Sequence, residues 1–447
     1  MLNQVFSTSE SFNDNYLAEI VRVDKITAHP NADKLQVVHI NGNAVITDLS
    51  TQVGNLCVYF PLECAIDITY LSKNNVLKEK ELNEDKTKSS FFESNGRVRA
   101  LRLRGQPSEG YLVPVGTLSL WLGKSIEPKA AATVGVRFDT VNGQLLCKKF
   151  VPKNANPKKR LSTVKQKRDK HSFSKIVDGQ FALHFDTSHL GRNIHKITPN
   201  SLISCTMKLH GTSAVVANVI CRKKLGWREK VAKLLDINVV DTEYSKLFSS
   251  RRVIKNRDIN PNAQDYYKTD IWGDVANDVY PLLRKGETVY GEIVGYTKDG
   301  GAIQSMSRGD YDYGCQPKEH KFYAYRITVT NVDGQALDLS FPQIKERCAQ
   351  IGVLHVPEYF YGYAKDLYPD LDTDHFWHDN FLAKLQEDYL EKKCPMSVND
   401  VWDEGIIIRN ESMNLESFKL KSFNFKMDES KQLDAGVMDL ETEESLS

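Results

Sequence analysis

The 447-residue chain contains no run of about 18 apolar residues, so no membrane-spanning helix is expected. Its first segment, Met1 to Asn15, is polar and lacks the apolar stretch of a secretory leader. An excess of one charge sign is missing too. Lys and Arg number 59 against 58 Asp and Glu, a formal net charge of +1, which excludes nothing about partners. None of the eight cysteines, at 57, 64, 147, 205, 221, 315, 348 and 394, forms a CxxC pair. Neither a zinc site nor a disulfide framework is suggested, and such usage fits a reducing, intracellular compartment.

With 41% hydrophobic and 26% charged residues, the chain can build two or three domains with real cores. Charge is uneven along it. Lys148 to Lys175 holds eleven basic residues and one acid, Asp169, a net of +10. Asp428 to Ser447 holds seven acids and one lysine, a net of −6. Such runs read as solvated linkers or tails, although the basic one could also touch phosphates.

Short strand-like runs with turn residues between them fill residues 18 to 147, the pattern of a small β-barrel or sandwich. Arg97, Arg99, Arg102 and Arg104 alternate with Val98, Leu101 and Leu103. Such a ladder either lines a nucleic-acid groove or forms the solvated face of an edge strand. Beyond the basic run, strands and helices mix. Asp374 to Lys393 has Trp377, Phe381, Leu385 and Tyr389 on one helical face, before Pro395.

Six segments carry the chemistry. Lys208-Leu209-His210-Gly211-Thr212-Ser213 comes first. Ser249-Ser250-Arg251-Arg252, Val289-Tyr290-Gly291-Glu292-Ile293 and Phe322-Tyr323-Ala324-Tyr325 follow. Asp403-Glu404-Gly405-Ile406-Ile407-Ile408-Arg409 and Lys419-Leu420-Lys421 close the series. Each alone has an ordinary reading, such as a snorkelling strand lysine or a solvent-facing glutamate. Taken in order over residues 206 to 425, they resemble the motifs of the covalent nucleotidyltransferases, and most closely the RNA ligases with an N-terminal OB module. The segment His29-Pro30-Asn31-Ala32-Asp33-Lys34-Leu35 resembles a turn of OB-type modules in RNA-binding proteins.

The resemblance implies an α+β chain. An OB-type β-barrel would occupy 1–147, followed by a basic linker at 148–175. An ATP-grasp-like nucleotidyltransferase domain of antiparallel sheets with flanking helices would span 176–427, with a helical insert at about 341–399. An acidic tail would run from 428 to 447. It further implies an ATP-dependent ligase joining 3′-OH and 5′-phosphate RNA ends, in which Lys208 takes AMP from ATP. The protein would be a monomer, cytoplasmic or encoded by a virus or phage, acting on a duplex or structured RNA away from membranes.

An amine attacks phosphorus only when unprotonated, and a surface lysine titrates near ~10.4. Nearby cations and partial burial lower that value, and Lys419, Lys421 and a metal ion would serve. The two lysines would also hold the α-phosphate. Glu292 and Glu404 would hold Mg2+ or Mn2+, or one of them the nucleotide ribose instead, since magnesium takes few protein carboxylates and keeps its waters. By the same resemblance, Tyr325 would stack on adenine and His210 would orient phosphate beside Gly211. Arg251 would contact the phosphate or nucleic acid, with Arg252 its rival for that place. Ser213 stands where some RNA ligases carry Asn, and Arg326 where many relatives carry Asp.

DNA ligases and capping guanylyltransferases usually carry an OB domain after the Lys-x-Lys strand, whereas 26 residues follow Lys421 here. That spacing favours an RNA ligase over both. A third reading, an inactive OB-based adaptor, is opposed by the presence of all six segments.

Overall fold

A computed structural model describes residues 5–126, 133–152, 175–184, 187–256, 259, 267, 269–373, 376–412 and 415–437. Most of the basic run, and the acidic stretch after Val437, lie outside the described residues.

The N-terminal part is a barrel of short, largely antiparallel strands. Tyr111–Pro114, Leu56–Phe60, Ala18–Arg22 and Arg137–Phe138 lie side by side in that order. Ile26–Ala28, Leu35–Ile40 and Asn43–Asp48 form a second sheet. Ile20, Val58, Phe60, Tyr70, Leu71, Leu118 and Phe138 fill the core. The His29–Leu35 turn docks against the 103–105 turn, where the His29 ring meets Leu103 O at 3.1 Å and Asn31 donates to Arg104 O at 3.0 Å.

The C-terminal part has two sheets. The first runs Ser188–His189, Glu416–Lys421, Gly405–Asn410, Leu202–Met207, Glu358–Tyr363. The second runs Thr242–Ser249, Thr212–Arg222, Glu287–Gly295, His320–Thr330, Ala336–Asp338, with Leu354–His355 pairing parallel to His320–Thr330. Strand periodicity decides what each face of the first sheet meets. Ile406, Ile408, Phe418 and Leu420 point into a core with Trp377, Phe381 and Leu385 of the Trp377–Tyr389 helix. The intervening residues Ile407, Arg409, Lys419 and Lys421 line a cavity on the other face.

Residues 341–399 differ from the expected helical insert. They do hold helices at Phe341–Ile351 and Trp377–Tyr389, but Glu358–Tyr363 completes the first sheet and Leu354–His355 the second. The acidic stretch starting at Asp428 begins inside the Phe423–Asp434 helix, where Asp428 and Ser430 are buried.

Two groups of buried charges dock the barrel on the C-terminal part. Arg192 donates to Glu19 (3.0 Å) and to the carbonyls of Asp14 and Leu17, while Arg137 pairs with Asp14 at 2.8 Å. On the other side the Phe423–Asp434 helix meets the barrel. Arg97 pairs with Glu63 (2.6 Å) and Asp434 (2.7 Å), Ser430 donates to Glu63 at 2.6 Å, and Lys426 pairs with Glu109.

The expected arginine ladder is therefore not one exposed face. Arg97 is 1% exposed and spent on carboxylates. Arg99 lies 3.6 Å from Asp434. Arg102 donates to Asn424 and sits over the Phe423 ring. Arg104 turns the chain with φ 46°. Arg97, Arg99 and Arg102 reach the Phe423–Asp434 helix, while residues 101–104 stay exposed.

Candidate active site

The chain crosses between the two sheets at Lys208 to Gly211, from the Leu202–Met207 strand into Thr212–Arg222. Lys208 is fixed by its own amide, which donates to Gly405 O at 2.9 Å. Its side chain, 24% exposed, ends 2.8 Å from Glu404 Oε2. Gly211 passes so close to the next strand that a Cβ there would lie 2.3 Å from Ile293 O. That approach lets Gly211 N and Ser213 Oγ both donate to Glu292, each at 3.2 Å. The register puts Ser213 directly opposite Glu292.

Glu404 is the electrostatic centre. Only 3% exposed, it lies between Lys208, Lys421 (3.1 Å) and the His210 ring (3.9 Å). Burial disfavours its ionised form, but the cations of Lys208 and Lys421 outweigh burial and hold the carboxyl down at about 2. Gly405 next to it has φ +132°, and a Cβ there would stand 2.1 Å from Leu420 O. Only glycine brings these strands together with Glu404 turned inward. Asp403 is pushed up to about 7 by burial, against the Gly405 N–H and with help from the Glu404 charge.

Lys421 has both Glu429 oxygens at 2.7 Å and lies over the Phe425 ring at 4.6 Å. Burial lowers its pKa, but the Glu429 and Glu404 carboxylates more than compensate, so the net shift is upward. His210 is packed edge-on between Tyr311 and Phe425, and its amide donates to Tyr313 Oη at 2.6 Å.

These groups open onto one cavity of about 240 Å3. Lys208, His210, Gly211, Arg251, Arg252, Glu292, Tyr325, Glu404, Lys419 and Lys421 all line it. Arg251 and Arg252 both reach the wall, so the geometry does not choose between them. The Tyr325 hydroxyl lies 3.2 Å from His184 Nδ1. Arg326 forms a two-pronged pair with Asp338 and covers the Tyr290 ring, so an acid approaches this position from the neighbouring strand.

Several lining residues carry no motif. Tyr16 and Lys149 come from the barrel, His184 from the segment entering the catalytic part, and Glu429 from the stretch read as tail. Arg409 closes the Asp403–Arg409 segment. It is buried, and its Nη2 donates to Leu339 O and approaches Glu411. Its Nε and Nη1 have no partner among the described residues.

Among the described residues no cluster of three or more His, Cys, Asp or Glu could hold a metal, and no helix is long and apolar enough to cross a membrane. Two carboxylates facing a cavity suit a hard ion that keeps most of its waters and takes oxygens from phosphates.

Fold and site together are those of a nucleotidyltransferase with an OB-type barrel before it. The model of the RNA ligase family matches residues 202–426, half of the chain, and a model described as an OB-fold domain matches 17–115. The chain belongs to the RNA ligase family and is a ligase enzyme. Among solved structures it is similar to the Naegleria gruberi RNA ligase. A variant of that enzyme with AMP and Mn is 17% identical, covers 92% of this chain and 98% of its own, and superposes with a TM-score of 0.54. A variant with ATP and Mn is 18% identical with the same coverage and score. The form with pyrophosphate is 17% identical at 0.53, covering 92% and 97%. Identity this low shows the fold. No curated protein gave a significant match.

Proposed function

We propose that the chain is an ATP-dependent ligase that joins 3′-OH and 5′-phosphate ends of RNA through a lysine-bound AMP on Lys208. The observation that carries this reading is convergence: ten residues from six separated segments line one cavity. The Naegleria enzyme, solved with ATP, AMP, pyrophosphate and Mn, supports it by likeness of fold.

In the first step the unprotonated Lys208 amine attacks the α-phosphorus of ATP. The Nζ–P bond forms, the bond to the bridging oxygen breaks, and pyrophosphate leaves. The amine must first release Glu404, its 2.8 Å partner. Lys419 and Lys421 offset charge on the phosphate oxygens. Next, a 5′-phosphate oxygen of RNA attacks the same phosphorus, and Lys208 regains its amine. The 3′-hydroxyl then attacks the activated 5′-phosphate and expels AMP. Little covalent chemistry falls to the protein beyond Lys208, so positioning and charge carry the rate.

Glu292 and Glu404 are the residues that would hold Mg2+ or Mn2+, and a carboxylate keeps lone pairs beyond those its present donors use. Such an ion supplies Lewis-acid stabilisation of the phosphoryl oxygens. Tyr325, which lines the cavity, would offer its face to the adenine. The unsatisfied Nε and Nη1 of Arg409 need an acceptor, and a base edge or ribose hydroxyl would supply one. Arg251 or Arg252 contacts phosphate through its fork. The substrate is a break in duplex or structured RNA, sealed by a monomer. Incubation with α-labelled ATP and magnesium tests the reading: label should appear on denatured wild-type protein and not on Lys208→Ala.

A further inference from the structure

We propose that Glu429 is a positioning residue that holds Lys421 for phosphoryl transfer and links the seating of the N-terminal barrel to the phosphate end of the cavity. The inference rests on the role proposed for Lys421.

An ammonium group has three N–H donors and no acceptor. At Lys421 they meet Glu429 Oε1 and Oε2, both at 2.7 Å, and Glu404 Oε1 at 3.1 Å. Glu404 cannot fix this amine alone, because its other oxygen faces Lys208. Glu429 supplies the second point of attachment. When a phosphate arrives, rotation of Glu429 from two contacts to one releases a donor toward it while the amine keeps its place.

The mount of Glu429 explains why it can act as a fixed reference. It sits on the Phe423–Asp434 helix, two turns beyond Lys421. Four of its side chains meet barrel residues: Asn424 takes Arg102, Lys426 pairs with Glu109, Ser430 donates to Glu63, and Asp434 pairs with Arg97, while Gln432 donates to Ser305 O and the first-turn amides to Glu391 in the C-terminal part. A side chain gains catalytic precision when packing and polar contacts lock its support. Here part of that support is the interface with the barrel, so loosening the barrel loosens Glu429 and, through it, Lys421. The second half of this helix lies in the acidic stretch that begins at Asp428.

The test uses the full-length protein and single-turnover transfer of labelled AMP to Lys208 at saturating ATP and magnesium. Glu429→Gln should slow transfer about tenfold with KM for ATP changed less than about threefold, the effect of one charge-assisted contact sharpened in the transition state. Glu429→Asp should recover part of the rate. Asp434→Asn, which touches only barrel arginines, should slow the same step by a smaller factor. The deciding comparison is a double-mutant cycle: in a Lys421→Met background, Glu429→Gln should have no further effect. Rates unchanged or raised by Glu429→Gln, or equal slowing in both backgrounds, would overturn the proposal. Wild type that takes no label at all would instead remove the function on which it rests.

Discussion

Replacing Glu404 by Gln removes the one negative charge shared by Lys208 and Lys421. Its carboxyl is held at about 2 against an ordinary 4.5, and the group is buried. Such a depression corresponds to about 3 kcal/mol of stability near neutral pH. Leaving two partly buried lysines with less compensation gives a cost in the same range, about 3 kcal/mol. The pH dependence has a definite sign. The unfolded chain takes up a proton near 4.5 while the folded protein stays ionised, so the stabilisation is complete above that pH and fades as pH falls toward about 2. Urea unfolding of wild type and Glu404→Gln should differ by about 3 kcal/mol at about pH 7, and by about 1 kcal/mol less at about pH 3.5. A gap below about 1 kcal/mol at neutral pH, or one that does not narrow in acid, would refute the reasoning.

Three other perturbations separate packing from chemistry. Gly405→Ala places a Cβ 2.1 Å from Leu420 O at φ +132°, and should destabilise by about 3 kcal/mol or more in the same urea assay. Arg409→Gln should weaken nucleotide binding about tenfold in a fluorescence titration and leave RNA affinity unchanged, since the bound nucleotide's acceptor would lose the guanidinium donors Nε and Nη1. Arg97→Ala should cost about 3 kcal/mol of stability by stranding Glu63, while the salt dependence of RNA binding keeps its slope.

The six segments that meet at the cavity were legible in the sequence because residue type and backbone are both constrained there. Glu292 and Lys421 lie on strands, and Lys208 and Glu404 directly at strand ends, where neighbours must be apolar and the glycines must be glycine, as the Gly211 and Gly405 contacts demonstrate. What stayed hidden depends on contacts between distant parts of the chain. The alternation at Arg97 to Arg104 is the same whether water or a helix faces it, and only the fold reveals Asp434 and Asn424 opposite. Glu429 reads as one acid among seven until the helix brings it to Lys421. Tyr16, Lys149 and His184 gave no signal, since single residues in loops and short strands acquire their place from domain docking.

The role of Lys208 is open to one direct measurement. Wild-type protein incubated with α-labelled ATP, separately with α-labelled GTP, and magnesium is denatured and examined for bound label. Label from ATP, acid-labile as a phosphoramidate and missing in Lys208→Ala, is the expected result. No label from either nucleotide, or label that persists in Lys208→Ala, would contradict it.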